Sequence, residues 1–497
     1  MSSATAVDQK RWFGHPRGLS TLFFTEMWER FSYYGMRAIL MLYMTAAATG
    51  ANPGMAIGVE EAGAIYGLYT GLVYLLALPG GWVADKIWGQ KKAVFVGGMI
   101  IAAGHFSMAV PMTVTFFLGL GLIVVGTGLL KPNVSTIVGD LYPEGGARRD
   151  AGFSIFYMGI NIGALLGPTL CGLFGENYNW HLGFSLAGIG MVFGLIQYKL
   201  GEKYLTGAGE LKIDDTREQI ARRGRIFYFI FAGVLGLLAI FWYLMSTGVL
   251  PFTLRQVAQA LGYTVLVLAI GYFVYLIAAG GYDSQQKKKL VVIFWLFILA
   301  AVFWSGFEQA GSSMNLFAFD LTDRVVFGWE MPASWLQNIN PLFIIIFAPV
   351  FGWIWTSLAQ RNANPSIPMK FALGLFGLAA GFFVLAWGAA NATVDNKVSP
   401  SWLIVTYFLH TVGELCLSPV GLSSITKLAP KDRVGQMMGI WFVGAALGNL
   451  FAGLVAGRLE TLAPSALFTS VAMYVAIAGV IALILSPFVK RLTGGIE

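Results

Sequence analysis

Residues 19–44 read LSTLFFTEMWERFSYYGMRAILMLYM, a mostly apolar stretch long enough to cross a bilayer. Inside it lie Glu26, Glu29 and Arg30, with Arg37 two turns further on. Two carboxylates and two guanidiniums at that depth are expensive, so they require partners, a polar cavity, or both. If the rest of the chain also spans the membrane, this cluster marks what passes through it.

Composition says that it does. Of 497 residues, 57% are hydrophobic and 11% charged, and the mean hydropathy is +0.70. A soluble chain carries about 25% charged residues. Length alone suggests several soluble domains, but composition excludes that reading. Cys171 and Cys416 sit far apart in apolar runs and suggest neither a disulfide framework nor a metal site. His15, His105, His181 and His410 show no ligand spacing. No cleavable signal peptide is expected, because the first apolar segment is too long and too charged.

Spanning stretches recur near 19–47, 62–85, 92–110, 113–139, 150–173, 180–198, 225–246, 256–279, 290–318, 334–358, 367–389, 401–427, 434–458 and 464–487, fourteen in all. The long apolar run over 92–139 is divided at Pro111. With both termini inside, Lys10, Arg11, Arg17, Lys86, Lys91, Lys92, Arg148, Arg149, the cluster over 199–225, Lys287 to Lys289 and Lys490 fall in inner segments. Outer loops hold only Arg255, Arg324 and Lys397. This is the positive-inside pattern. The net charge of +7 therefore reads as a topology signal facing anionic lipid, not as a nucleic-acid surface.

The two halves echo each other. LLKPNVSTIVGDLYPEGGARRDAGFSIFYMGINIGALLG, from Leu129, and CLSPVGLSSITKLAPKDRVGQMMGIWFVGAALGNLFAG, from Cys416, both place two prolines eleven residues apart, Pro132 with Pro143 and Pro419 with Pro430. A weaker echo links PGGWVADKIWGQKK (79–92) with PVFGWIWTSLAQRN (349–362). Such a repeat predicts two homologous six-helix bundles, residues 1–200 and 290–497. Between them, 201–289 would supply a cytoplasmic linker and an inserted transmembrane hairpin.

Further polar residues lie inside the spans. Glu26 and Arg30 are i,i+4 neighbours able to pair on one helical face. Lys131, just before Pro132, needs a carboxylate or water. Glu308 lies deep in FWSGFEQAGSSMN and is a natural partner for either Lys131 or Arg37. The plainer reading of each is a permanent ion pair that fixes packing. Glu414, in FLHTVGELCLSP, suits a protonated acid or an incoming ammonium. Asn161 and Asn338 add neutral hydrogen bonds, Tyr33, Tyr34, Tyr69 and Tyr157 add hydroxyls, and Trp304 and Trp441 offer pocket walls. For any one aromatic, core packing is the simpler reading. The first half thus offers cations (Arg30, Arg37, Lys131) and the second carboxylates (Glu308, Glu414), a bipolar cavity that fits a zwitterion such as a peptide.

Glu26 to Gly35, EMWERFSYYG, resembles the ExxER[FY]xYYG signature of the proton-dependent oligopeptide transporter (POT) family. FSIFYMGINIGALLGP, with Asn161, resembles its second signature, and GGWVADKIWGQKK its loop between helices two and three. The resemblance covers essentially the full length. It implies an all-α integral membrane protein of the major facilitator fold, with two helices inserted between the halves. It further implies that Glu26, Glu29 and Arg30 form the proton-coupling motif and that Glu308 is the helix-seven acid linked to protonation and gating. Arg37 and Lys131 would handle the peptide carboxylate and coupling. Asn161, Asn338 and Glu414 would surround the peptide backbone and amino end, with Tyr33, Tyr69, Trp304, Ser418 and Trp441 as further pocket residues. The coupling histidine of mammalian members has no equivalent on helix two.

The expected function is proton-coupled symport of di- and tripeptides into the cell by alternating access, in an inner membrane, with both termini cytoplasmic. The coupling ion is H+, with no cofactor, nucleic acid or obligate protein partner. The alternative cargo is another small solute, such as nitrate or a peptide-like compound. A membrane enzyme is disfavoured, since HExxH, GxSxG and metal-spaced His/Cys sets are missing from the sequence. A receptor or scaffold is disfavoured by the two-half repeat.

Overall fold

The structure is a computed structural model that describes residues 11–144, 146–211, 215–431 and 433–493. Lys10, one of the expected inner-side cations, lies outside them. In lipid a chain must satisfy its backbone polar groups internally, and this one does so with helices. The first seven are Gly18–Thr45 (α1), Val59–Leu75 (α2), Ala77–Val83 (α3), Gln90–Met108 (α4), Thr113–Asp140 (α5), Gly146–Asn177 (α6) and Trp180–Gly201 (α7). Arg217–Ser246 (α8) and Leu254–Ala279 (α9) form the central hairpin. Ser284–Phe307 (α10), Ser313–Leu321 (α11), Ile339–Gln360 (α12), Ile367–Ala389 (α13), Ser401–Leu428 (α14), Val434–Ala456 (α15) and Pro464–Leu492 (α16) follow.

Among the described residues, twelve helical segments are long and apolar enough to cross a membrane. Helices α1 and α4 bring the number to fourteen. α1 falls short of the composition of an ordinary span because of Glu26, Glu29, Arg30 and Arg37. α4 has only 19 residues and opens on Lys91 and Lys92. The chain does turn between Met108 and Thr113, around Pro111.

Three expected spans are not single α-helices. The span over 62–85 is α2, then α3, then a π-helical turn Ala84–Trp88. Pro79 has no N–H to give the preceding turn, which explains a break near it. The span over 290–318 stops at Phe307, passes through a 3-10 turn Glu308–Gly311, and restarts at Ser313. The span over 334–358 begins as a 3-10 turn, Ala333–Asn338, and becomes α only at Ile339. The first of these 3-10 turns carries Glu308, and the second leads into Asn340 at the start of α12.

Helix α1 packs on α6 and α7, α4 on α5 and α7, α13 on α14 and α16, and α10 on α15. Two further junctions link early and late helices. α2 packs on α15, and α6 on the 333–338 turn and α12. Glycine permits the first: a Cβ at Gly453 would fall 2.3 Å from the carbonyl of Gly63. In α8 only Gly224 is buried, and large apolar side chains such as Phe229 and Leu237 point outward, as on a lipid-facing helix. Its start is tied to the π-helical turn by Arg223, which donates to the Lys86 carbonyl, and by Trp88, which donates to the Tyr228 hydroxyl. α9 packs against both α2 and α15.

Candidate functional site

Helix α1 presents its charged residues on successive turns. The Arg30 Nε donates to Glu26 Oε1 at 2.7 Å and stands 2.9 Å from Glu29 Oε2. One guanidinium therefore serves two carboxylates. The Glu26 contact is an aligned hydrogen bond, whereas the Glu29 contact is an ion pair by proximity, and neither Glu29 oxygen accepts a hydrogen bond from a described residue. All three side chains are buried. They can be, because α6 meets α1 through glycine: a Cβ at Gly163 would lie 2.2 Å from the Met27 carbonyl.

One turn on, Tyr33 and Tyr69 stack with ring centroids 6.3 Å apart, and neither hydroxyl has a hydrogen-bond partner among the described residues. The Arg37 guanidinium lies 5.3 Å from the Tyr34 ring and donates from Nη1 to Glu308 Oε2 at 2.7 Å. Of the two cations open to Glu308 from sequence, the fold selects Arg37. The 3-10 turn that carries Glu308 ends at Gly311, where a Cβ would fall 2.0 Å from the Tyr66 hydroxyl and 3.0 Å from Arg37 Nε. The break after α10 thus brings a bare backbone against Tyr66 and Arg37.

Lys131 meets an aromatic face instead of a carboxylate. Its Nζ lies 3.6 Å from the centroid of Tyr74, and among the described residues no carboxylate is within ion-pair distance. Glu414, on α14, accepts from Asn340 Nδ2 at 3.1 Å, and the same amide donates to Thr411 Oγ1 at 3.0 Å. No described cation pairs with Glu414.

Asn338, expected beside the peptide's amino end, makes its hydrogen bond to another helix, donating to Thr169 Oγ1 on α6 at 2.8 Å, and leaves its Oδ1 without a partner among the described residues. The position beside Glu414 belongs to Asn340. Asn161 donates back to the Tyr157 carbonyl on its own helix at 3.0 Å, while the Tyr157 ring is half exposed. Trp304 packs edge-on against Phe303 and Phe307 with its Nε1 unpartnered among the described residues. Trp441 is buried against Gly421 and Phe371. Ser418 is half-buried on α14, one turn beyond Glu414. Sequence reasoning missed Tyr66, Tyr74, Asn340 and Gly311. Only Asn340 carried a local signal, the Asn340-Pro341 step that marks the start of α12.

Glu26 and Glu29 are matched by Arg30, and Glu308 by Arg37. Lys131 and Glu414 remain as an ammonium and a carboxylate without ionic partners among the described residues. Such a pair complements a ligand that carries both an acid and an amine. Among the described residues no cluster of His, Cys, Asp or Glu is placed to hold a metal ion.

The POT family model matches residues 91–467. A peptide transporter of Yersinia enterocolitica is 43% identical over 470 residues, 92% of this chain and 91% of that protein. A di-/tripeptide transporter of Lactococcus lactis is 37% identical over 495 residues, 98% of this chain and 99% of that protein. A crystal structure of the peptide transporter POT in complex with sulfate superposes with a TM-score of 0.89 at 40% identity, covering 98% of each chain.

Proposed function

The chain belongs to the POT family and has its all-α, major-facilitator-type membrane fold, and from that premise we propose that it carries di- and tripeptides into the cell by proton-coupled symport. One observation carries the reading of the cargo: the unmatched pair of Lys131 and Glu414. Lys131 faces the peptide carboxylate, and Glu414, held by Asn340, receives the peptide ammonium. Arg37 and Glu308 form the switch. A proton on Glu308 removes the charge that holds Arg37, and the freed guanidinium takes the peptide carboxylate. Glu26 and Glu29 relay the proton, and Arg30 is the fixed cation between them. Tyr33, Tyr34, Tyr69, Tyr157, Asn161, Trp304, Ser418 and Trp441 line the path of the peptide.

In this proposal residues 1–200 and 290–497 act as two six-helix bundles that exchange access to the site between the membrane faces. The basic loops support termini in the cytoplasm of an inner membrane, and on that reading the ends of α1 and α6 and the start of α2 face outward. The proton is the coupling ion, and no cofactor or obligate protein partner is invoked. A peptide-like compound with an amine and an acid fits the same two charges. Nitrate leaves Glu414 unmatched. Uptake of labelled dialanine, competed by unlabelled dialanine but not by nitrate, is the expected result. Competition by nitrate and indifference to dialanine would overturn the peptide reading.

A further inference from the structure

Among the described residues, four helices begin with their own side-chain cap. Asn179 caps α7, Thr216 caps α8, Thr253 caps α9 and Asp283 caps α10. Several outward starts lack one, those of α5, α14 and α16 among them, and so do two where the halves of the chain meet. Gly58 precedes α2 and Pro332 precedes the 333–338 turn, and neither offers a side-chain acceptor. The first amides of a helix have no partner within the helix, so an acceptor must come from elsewhere.

In both places it comes from the opposite half of the chain. Glu460 ends the 3-10 turn Gly457–Glu460 that follows α15, and its Oε2 accepts from the Glu60 amide at 2.6 Å. Glu176 lies in the last turn of α6, and its carboxylate accepts from the Ala333 amide at 2.7 Å and the Ser334 amide at 3.0 Å. A carboxylate at a helix start also meets the positive end of the helix dipole. The two arrangements correspond. α6 and α15 carry the repeated stretches GALLG (163–167) and GAALG (444–448), and a carboxylate in the last turn of α6, or in the 3-10 turn after α15, accepts from the start of an element of the other half.

Each contact is backed by close approach of the two halves. A Cβ at Gly172 would fall 1.9 Å from Ser334 Oγ, and one at Gly63 would fall 2.6 Å from the Gly453 carbonyl. Gly58 leaves the Glu460 carboxylate room, since a Cβ there would stand 3.2 Å from Oε2. Asn52, in the loop between α1 and α2, donates to the carbonyls of Gly175 and Glu176 and so fixes the end of α6. Beside Glu460, the Glu60 side chain is held by Arg255 of α9 at 2.7 Å.

We propose that Glu176 and Glu460 are reciprocal caps, each supplied by one half to the start of an element of the other, that hold the outward end shut. Both must release before the substrate site opens outward. The proposal rests on the alternating-access reading above and assigns its outer latch. The latch is separate from the Arg37–Glu308 pair, which answers to proton and peptide. Opening leaves α2 and the 333–338 turn uncapped until water replaces the carboxylates, so the two glutamates help set the balance between closed and outward-open forms.

The test uses spin labels at Ala51→Cys and Asp395→Cys, exposed outward positions in opposite halves, with distances read by double electron–electron resonance in the purified full chain. Glu176→Ala and Glu460→Ala each raise the ratio of long to short distances by about five-fold, and the double variant by about twenty-five-fold. Glu176→Gln and Glu460→Gln, which keep an acceptor oxygen, shift it less, and they decide the matter if the alanine variants fail to fold. Three results overturn the proposal: an unchanged distribution in the double variant, a shift from only one of the two carboxylates, or an equal shift from Glu61→Ala, an exposed neighbour. The distances need neither peptide nor gradient, so they stand or fall apart from the transport assay.

Discussion

Arg37 Nη1 and Glu308 Oε2 stand 2.7 Å apart although 271 positions separate them in the chain, and both side chains are buried. The pair joins α1 to the 3-10 turn after α10, and hence the early helices to the late ones. Taking both charges out of water is costly, and removing one partner of such a pair costs about 3–5 kcal/mol in the state that holds it.

Glu308→Gln mimics the protonated acid permanently. In the unaltered protein the proposed switch makes uptake rise as the external pH falls. In the variant, proton-driven accumulation is lost, the pH dependence is flat, and peptide counterflow persists. Initial rates across an external pH series, at fixed internal pH, check this. A retained slope would contradict the assignment of the switch.

Glu414→Gln removes the carboxylate proposed to meet the peptide ammonium. A hydrogen bond to a charged group is worth about 1.5–3 kcal/mol, so KM for dialanine rises by roughly 10- to 100-fold. The N-acetylated dipeptide, which has no ammonium, is unaffected. Asn340→Ala raises KM in the same direction by a smaller factor, and Asn338→Ala leaves it nearly unchanged. An equal effect on the acetylated peptide would place Glu414 outside the ammonium site.

Gly311→Ala would put a methyl 2.0 Å from the Tyr66 hydroxyl and 3.0 Å from Arg37 Nε. Crowding of this kind costs about 1–3 kcal/mol, and here it falls on the Arg37–Glu308 contact. Transport drops by about ten-fold or more. Tyr66→Phe removes the clashing oxygen and restores part of the rate. The two single variants and the double variant, assayed together, decide whether the hydroxyl is the obstacle.

Tyr74 supports Lys131 through its ring face. A buried cation–ring contact contributes about 0.5–2 kcal/mol. Tyr74→Phe keeps the face and changes KM little, whereas Tyr74→Leu raises it by about 2- to 30-fold. A loss in Tyr74→Phe as large as in Tyr74→Leu would shift the role to the hydroxyl.

Much of this was legible in the sequence, for reasons visible in particular residues. Apolar runs of spanning length mark helices because lipid allows little else, and Pro111 marks the turn between α4 and α5. The cluster Glu26, Glu29, Arg30 and Arg37 announced itself by its cost. The break at Glu308–Gly311 did not, because it contains no proline and is shaped by what crosses it, Arg37 and Tyr66. The partner of Glu308 was open between two cations, since sequence spacing says nothing of distance between helices. Asn338 and Asn340 lie two residues apart, and the 3-10 start of the span decides which one turns toward Glu414. The reciprocal caps left only an indirect trace, the missing acceptors at Gly58 and Pro332.

The most direct measurement is labelled dialanine uptake into proteoliposomes of the purified protein, with and without an inward proton gradient. The account predicts accumulation above the external concentration only with the gradient, abolished by a protonophore. Equal, merely equilibrating uptake under both conditions, with correctly oriented protein present, would contradict proton-coupled peptide transport.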